Sequence, residues 1–129
     1  MKAQTIYEGT NINVGVVLSN GRTTKVHYAT DARPDGFRII VNEASNTIQL
    51  QSGTEKKSWI TMKIEKKEVD QNGDVYYEGC ANWDGVKEPM TRDQCECGLI
   101  ILNDQIALNW NVMLYKYYRG SSTKWGSYK

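Results

Sequence analysis

The sequence predicts an all-β protein, either a single antiparallel β-barrel or a two-sheet β-sandwich, with about eight to nine short strands. Apolar and polar residues alternate with a period of two along most of the chain. Asn20-Gly21 and Asn72-Gly73 are typical hairpin turns, and no long segment has the apolar spacing of an amphipathic helix. The 129 residues are enough for one domain with its own core.

Turn signals divide the chain into segments that carry the strand pattern. These segments cover residues 12–18, 22–28, 37–43, 47–51, 58–66, 75–81, 95–102 and 106–115. Pro34-Asp35-Gly36 is predicted to form a turn. The last segment is predicted to be one long strand with Trp110 and Leu114 on its core face. The longest irregular stretch, residues 82–94, is long enough to suggest a functional loop.

We predict one β domain over residues 1–119 and a basic, aromatic C-terminal tail over residues 120–129. The net charge of +1, from 16 basic and 15 acidic residues, gives the whole chain no field that attracts polyanions. No apolar run is long enough for a membrane-spanning helix, so no transmembrane segment is predicted. The first residues lack the apolar run of a signal peptide, which predicts a cytoplasmic protein.

The three cysteines, Cys80, Cys95 and Cys97, are an odd number and predict reduced thiols rather than a disulfide framework. If oxidation occurs, the pattern favours a bridge from Cys80 to one of the other two, since Cys95 and Cys97 are too close together for an unstrained bridge. With His27 they could supply four zinc ligands, but the spacing is unlike that of structural zinc sites. We therefore predict no metal and no cofactor.

Catalytic motifs are missing from the sequence. It contains a single histidine and none of the common nucleophile, zinc-hydrolase or phosphate-loop patterns. Asp70 to Asp74 with Glu78 superficially resemble a calcium loop, but the glycine and the closing glutamate stand at the wrong positions, and a hairpin turn explains them. The remaining enzymatic option is carboxylate chemistry in or beside the long loop, by Asp84, Glu88, Asp93 and Glu96.

The aromatic composition is the most informative functional feature. Four Trp and eight Tyr stand against a single Phe, and residues with both an apolar body and a polar group are enriched at interfaces. The candidate binding residues are the aromatic and charged side chains that no predicted core face requires, together with their neighbours in the loop and tail. They are Trp59, Trp83, Asp84, Tyr115, Tyr117, Tyr118, Arg119, Lys124, Trp125 and Tyr128.

These observations predict a non-catalytic binding module that recognises a protein partner, or a second copy of itself, through exposed Trp and Tyr and the basic tail. The main alternative is a calycin-like barrel that holds a small apolar or nucleotide-like ligand in its mouth. A third is a small carboxylate- or metal-dependent enzyme. The rings and cations of the tail would also suit nucleic acid or a glycan.

Overall fold

The structure, a computed structural model, describes residues 4–16, 29–52, 58–85, 90–110 and 113–128. These residues are almost entirely strands and turns, with one short helix, α1 (Arg92–Cys95). The strands are β1 (Thr5–Val16), β2 (Ala29–Asn42), β3 (Thr47–Ser52), β4 (Ser58–Val69), β5 (Val75–Trp83), β6 (Glu96–Ile101), β7 (Gln105–Trp110), β8 (Met113–Tyr118) and β9 (Trp125–Tyr128).

The sheet is a closed barrel. Strands β1 to β8 each pair antiparallel with the next, and β1 also pairs with β8, which closes the eight-stranded ring. The ninth strand, β9, pairs with the first residues of β1, beyond the point where β8 ends. The predicted all-β class is confirmed, and of the two predicted architectures the protein adopts the barrel. Closure satisfies the strand edges that an open sheet of this size would leave exposed.

The interior of the barrel is filled by side chains. Alternate residues of each strand point inward, as the period of two requires. The buried cluster comprises Phe37, Ile39, Val41, Ile48, Leu50, Ile60, Met62, Tyr77, Ala81, Cys97, Leu99, Ile101, Ile106, Leu108, Trp110 and Tyr117. The predicted inward positions Ile60 and Met62 are buried, and Ile64 packs against the cluster. The described part of the barrel is therefore a packed core.

The predicted turn at Pro34-Asp35-Gly36 lies inside β2 instead of between two strands. Phe37 pairs with Gly9, and Ala32 pairs with Asn11, so residues 33–36 bulge out of the ladder. Gly36 has a φ of +69°, and a Cβ there would lie 2.2 Å from the carbonyl oxygen of Gly9. The turn residues therefore bend one strand. The predicted strand at 22–28 lies outside the described residues.

The prediction of one long strand over residues 106–115 is wrong, because β7 and β8 form a hairpin there. Trp110 pairs with Met113 across the two residues between them. The inward face of β8 consequently carries Tyr115 and Tyr117, in place of Leu114. An apolar-polar alternation that continues through a two-residue connection, without Gly or Pro, gives no signal that the chain has reversed.

Membrane-spanning helices are not found in the part of the chain that the structure describes, where no helix is both long and apolar enough.

Candidate functional site

One end of the barrel carries a group of aromatic side chains beside α1. We call Trp59, Trp83, Met90, Trp110 and α1 the aromatic end. Trp110 is 3% exposed and Trp83 is 43% exposed, and their ring centroids lie 5.1 Å apart. Met90 also packs against the core. Trp83 therefore covers the apolar interior while presenting nearly half of its own surface to solvent.

Trp110 is fixed in place by α1. Its indole Nε1 donates a hydrogen bond to the carbonyl oxygen of Gln94, at 3.0 Å. The Gln94 side chain accepts a hydrogen bond from the Thr91 amide at 3.2 Å, which closes the first turn of the helix. The buried ring that supports Trp83 thus has both an apolar environment and a partner for its polar atom.

Trp59 lies on the neighbouring strand and is 44% exposed. It precedes Ile60, which pairs with Trp83 across β4 and β5. The Trp59 carbonyl oxygen accepts a hydrogen bond from the Asp84 amide at 2.9 Å. The two most exposed tryptophans therefore stand on adjacent strands at the same end of the barrel.

Asp84, a predicted binding residue, connects β4 to the end of β5. Its carboxylate accepts a hydrogen bond from the Thr61 hydroxyl at 2.6 Å and another from the Ser58 hydroxyl. Both oxygens are occupied by neighbouring strand residues, so the carboxylate has a structural role beside Trp83. The chain directly after Trp83 is thereby held against β4.

A disulfide joins α1 to the barrel wall, and the prediction that all three cysteines are reduced is wrong. Cys80 on β5 is bonded to Cys95 on α1, one of the two pairings that the sequence left open under oxidation. Cys97 is the free thiol, and it is buried. Burial raises the pKa of Cys97 to about 12, which keeps it protonated and unreactive.

Charged side chains also hold α1. The Arg92 guanidinium donates to both carboxylate oxygens of Glu65, each at 2.6 Å, and lies 3.7 Å from Glu96. The hydrogen bond from Arg92 lowers the pKa of Glu65. The helix is therefore fixed by a covalent bond at its last residue and a bidentate ion pair at its first.

Metal binding finds no support in the described residues. They contain no group of three or more His, Cys, Asp or Glu side chains that could hold an ion. Two of the proposed cysteine ligands are bonded to each other, and His27 lies outside the described residues. In the segment that resembles a calcium loop, one Asp70 carboxylate oxygen accepts hydrogen bonds from the backbone amides of Asn72 and Asp74. This is the hydrogen bonding of a turn.

The opposite end of the barrel, which we call the closed end, contains most of the other predicted binding residues. Tyr117 is 6% exposed and packs on Phe37 with ring centroids 5.1 Å apart, so its prediction as an exposed ring is wrong. Tyr115 is half-buried beside Tyr117, and burial raises its pKa. The Tyr118 hydroxyl accepts from the Asn13 amide at 3.2 Å.

Trp125 belongs to the fold of the closed end. Its ring packs edge-on against Tyr7, with centroids 5.3 Å apart, and Nε1 donates to the Leu102 carbonyl oxygen at 3.0 Å. Phe37 lies on its other flank, with centroids 6.5 Å apart. The ring of Trp125 is therefore partly buried and covers the core at this end of the barrel. The backbone of Tyr128 pairs with Thr5, and nothing is described of its side chain.

The cations of the predicted tail differ in their surroundings. Arg119 donates to the carbonyl and side-chain oxygens of Asn103, at 3.3 and 3.2 Å, and to the Ser122 carbonyl at 3.2 Å. Lys124 is 68% exposed and lies 3.8 Å from Glu8. Arg119 therefore joins two turns of the closed end, while Lys124 retains an exposed charge.

Comparison of the chain with protein-family models, with characterised proteins and with solved structures finds no match in any of the three.

The structure thus separates the predicted residues into two groups. It brings Trp59, Trp83 and Asp84 to the aromatic end. Tyr115 lies in the middle of β8, and the other six belong to the end of β8, the turn after it and β9 at the closed end. Sequence reasoning missed the supporting role of Trp110 and the disulfide. The role of Trp110 could have been predicted from the sequence. A tryptophan that points inward near the end of a strand needs another segment at that end of the barrel to cover it.

Proposed function

We propose that this protein is a non-catalytic binding module whose aromatic end recognises a protein surface, either that of a partner or that of a second copy of the chain. The observation that carries the proposal is the exposed Trp83 ring, which packs at a tilt of 46° against the buried Trp110 ring. Tryptophans in such positions dominate protein interfaces because they bury much apolar area with few rotatable bonds.

Preorganisation supports this proposal. The Gln94 carbonyl holds Trp110, and the Cys80–Cys95 bond joins α1 to β5. Asp84, the residue after Trp83, is hydrogen-bonded to Thr61 on β4. A ring that is already ordered loses little conformational entropy when it is covered by a partner. Trp59 is also exposed at this end, and because it precedes the buried Ile60 it faces the outer side of the wall by alternation.

The proposal gives less weight to the C-terminal tail than the sequence did. Trp125, Tyr117 and Arg119 have partners within the fold, so recognition of a protein, nucleic acid or glycan by the tail would rest mainly on Lys124. A cation at an exposed surface position steers association more than it holds a complex together. The aromatic end is the stronger candidate surface.

A small ligand in the barrel mouth is the second candidate function, and the closed eight-stranded barrel favours it. The described interior is filled by the core, so such a ligand would rest on the outside of Trp83 instead of deep in the barrel. Native mass spectrometry of the purified protein distinguishes the two, since a copurified small molecule adds its mass to a single chain.

The disulfide also bears on location. Disulfides persist mainly in oxidising compartments, so the Cys80–Cys95 bond favours such a compartment over the cytoplasmic location expected from the sequence. We include an oxidising environment in the proposal.

The test is a binding comparison between three forms of the protein. A partner is first captured from the native source by the wild type and purified, and self-association is measured by sedimentation velocity. The double variant Trp59→Ser/Trp83→Ser should weaken the measured association by about a hundredfold, as expected for two central aromatic contacts. Val69→Ser is the matched control, because Val69 is 58% exposed but lies at the far end of β4.

Three results would contradict the proposal. They are equal affinities of the wild type and the double variant, an equal loss in Val69→Ser, and the absence of both a partner and self-association.

A further inference from the structure

A groove crosses the outer wall of the barrel between β4 and β7, away from the exposed tryptophans. Its volume is about 440 Å³, and its lining includes Glu65, Tyr76, Glu78, Arg92, Gly98 and Asn109. The buried neighbours Tyr77, Leu99 and Leu108 point into the core, so Tyr76, Gly98 and Asn109 face outward by alternation. The groove is thus a feature of the wall and is separate from the packed interior.

Gly98 forms the floor of the groove. It pairs with Glu78 on one side and with Asn109 on the other, so these three residues form a row across β5, β6 and β7. A Cβ at Gly98 would lie 2.7 Å from the Tyr76 hydroxyl oxygen and 3.1 Å from its Cε1 atom. The missing side chain therefore gives the Tyr76 ring room to lie across the wall.

The polar groups of the groove supply both hydrogen-bond donors and acceptors. The Tyr76 hydroxyl donates to Glu78 Oε1 at 3.2 Å, and both Glu78 and Asn109 line the groove. Burial, followed by the effect of Glu78, raises the pKa of Tyr76, so its hydroxyl remains protonated at neutral pH. An amide and a protonated hydroxyl can each donate and accept.

The lining contains two basic side chains, Lys66 and Arg92, and four acidic ones, Glu65, Glu78, Asp93 and Glu96, so it has an excess of negative charge. Arg92 pairs with Glu65 and lies near Glu96, and Lys66 pairs with Glu68 at 2.8 Å. The excess of carboxylates disfavours an anionic ligand, and carboxylate oxygens can accept hydrogen bonds from the hydroxyl groups of a neutral ligand. An amine is the competing ligand, because the same carboxylates would attract it.

We propose that this wall groove binds a neutral saccharide. A sugar ring has an apolar C–H face that packs on an aromatic ring such as Tyr76, and it has hydroxyl groups that donate and accept at the same time. The volume of about 440 Å³ accommodates a unit of one or two sugar rings. The groove adjoins the aromatic end at Arg92 of α1, but its ring is Tyr76 and not Trp59 or Trp83, so this proposal does not rest on the recognition proposed for that end.

The experiment is an amide NMR titration of the full chain with the methyl glycosides of glucose, galactose, mannose and N-acetylglucosamine. At least one of them should cause saturable shifts at Gly98, Glu78 and Asn109. Tyr76→Ala removes the ring, and Gly98→Val keeps the ring but fills the floor. Each should weaken the binding by about tenfold or more, while the melting transition shows that the variant is folded.

Trp83→Ser at the aromatic end is the control, and it should leave the sugar titration unchanged. Putrescine is titrated in parallel to test for an amine site. The proposal is overturned if putrescine alone saturates these amides, if none of the four glycosides does so, or if binding survives in both Tyr76→Ala and Gly98→Val. Because Trp83→Ser separates the two sites, a failure here leaves the test of the aromatic end unaffected.

Discussion

The two ends of the barrel each use a tryptophan to cover the same apolar core, but they do so differently. At the closed end, Trp125 is half-buried between Tyr7 and Phe37, and its indole donates to the Leu102 carbonyl. At the aromatic end, Trp83 covers Trp110 and remains 43% exposed. The same residue type therefore completes the fold at one end and presents an apolar surface at the other.

The connections explain this difference. At the closed end the chain covers the core itself, with a turn in which Asp70 accepts backbone hydrogen bonds and with Arg119 joining two loops. Among the described residues of the aromatic end, the cover is a four-residue helix that is held by a disulfide and an ion pair. Trp83 is exposed and its surroundings are ordered by these bonds, whereas Trp125 is largely enclosed by the fold. Trp83 is therefore the better candidate for contact with a partner.

The largest expected effect of a substitution at the aromatic end is that of Trp110→Ala. Trp110 is 3% exposed and bridges the core to α1, so its loss should lower the free energy of unfolding by about 3 to 5 kcal/mol, the usual range for a buried aromatic. Trp83→Ala should cost only about 1 kcal/mol, because half of that ring is already in water. Urea unfolding of both variants measures the contrast, and equal losses would mean that the two rings are equivalent.

The disulfide is expected to have the next largest effect. The double variant Cys80→Ser/Cys95→Ser should lose about 3 kcal/mol, the amount expected for a bridge that closes a loop of this length, since the two residues are 15 apart in sequence. Urea unfolding of this variant, and of the wild type with and without a thiol reductant, measures it. The reductant should lower the stability of the wild type and leave the double variant unchanged. If it changes the unfolding of both proteins, a bond other than Cys80–Cys95 is responsible.

The sequence predicts the β class, the hairpin at Asn72-Gly73 and the inward face of β4, because these follow from local periodicity and turn chemistry. It does not predict which exposed rings are covered, because covering is a contact between distant segments. Trp125 meets Tyr7 and Leu102 only after the barrel has closed. Cys80 and Cys95 also face each other only because β5 and β6 pair with one register and α1 folds back on them.

Trp125→Ala tests whether the closed end depends on its tryptophan. We expect a loss of about 2 to 3 kcal/mol in unfolding free energy, below the range for a fully buried ring. Deletion of residues 120–129 also removes the pairing of β9 with β1 and should cost at least as much. The boundary predicted at residue 119 would instead leave these residues outside the domain, with little effect of their deletion on stability. Thermal melts of both forms test it, and a truncated protein that melts like the wild type would contradict the account.

A smaller and chemical effect is expected at Cys97. Its buried thiol, with a pKa raised to about 12, should react slowly with an aromatic disulfide reagent at pH about 8 in the native protein and rapidly after unfolding. Because the thiol form is favoured in the folded state, its contribution to stability should be lost as the pH rises toward that pKa. Cys97→Ala is the control and should abolish the reaction. Rapid modification of the native wild type would show that the wall opens readily at β6.

The most direct test of the central claim is the ¹⁹F NMR spectrum of protein in which the four tryptophans are replaced by 5-fluorotryptophan. Single Trp→Phe variants assign the four signals. On titration with the partner, or with increasing protein concentration for self-association, we predict that the signals of Trp59 and Trp83 shift, because these two rings carry the exposed apolar surface. The Trp125 signal should stay in place, since its indole is engaged within the closed end. A shift confined to Trp125 would contradict the account and return the binding surface to the C-terminal residues.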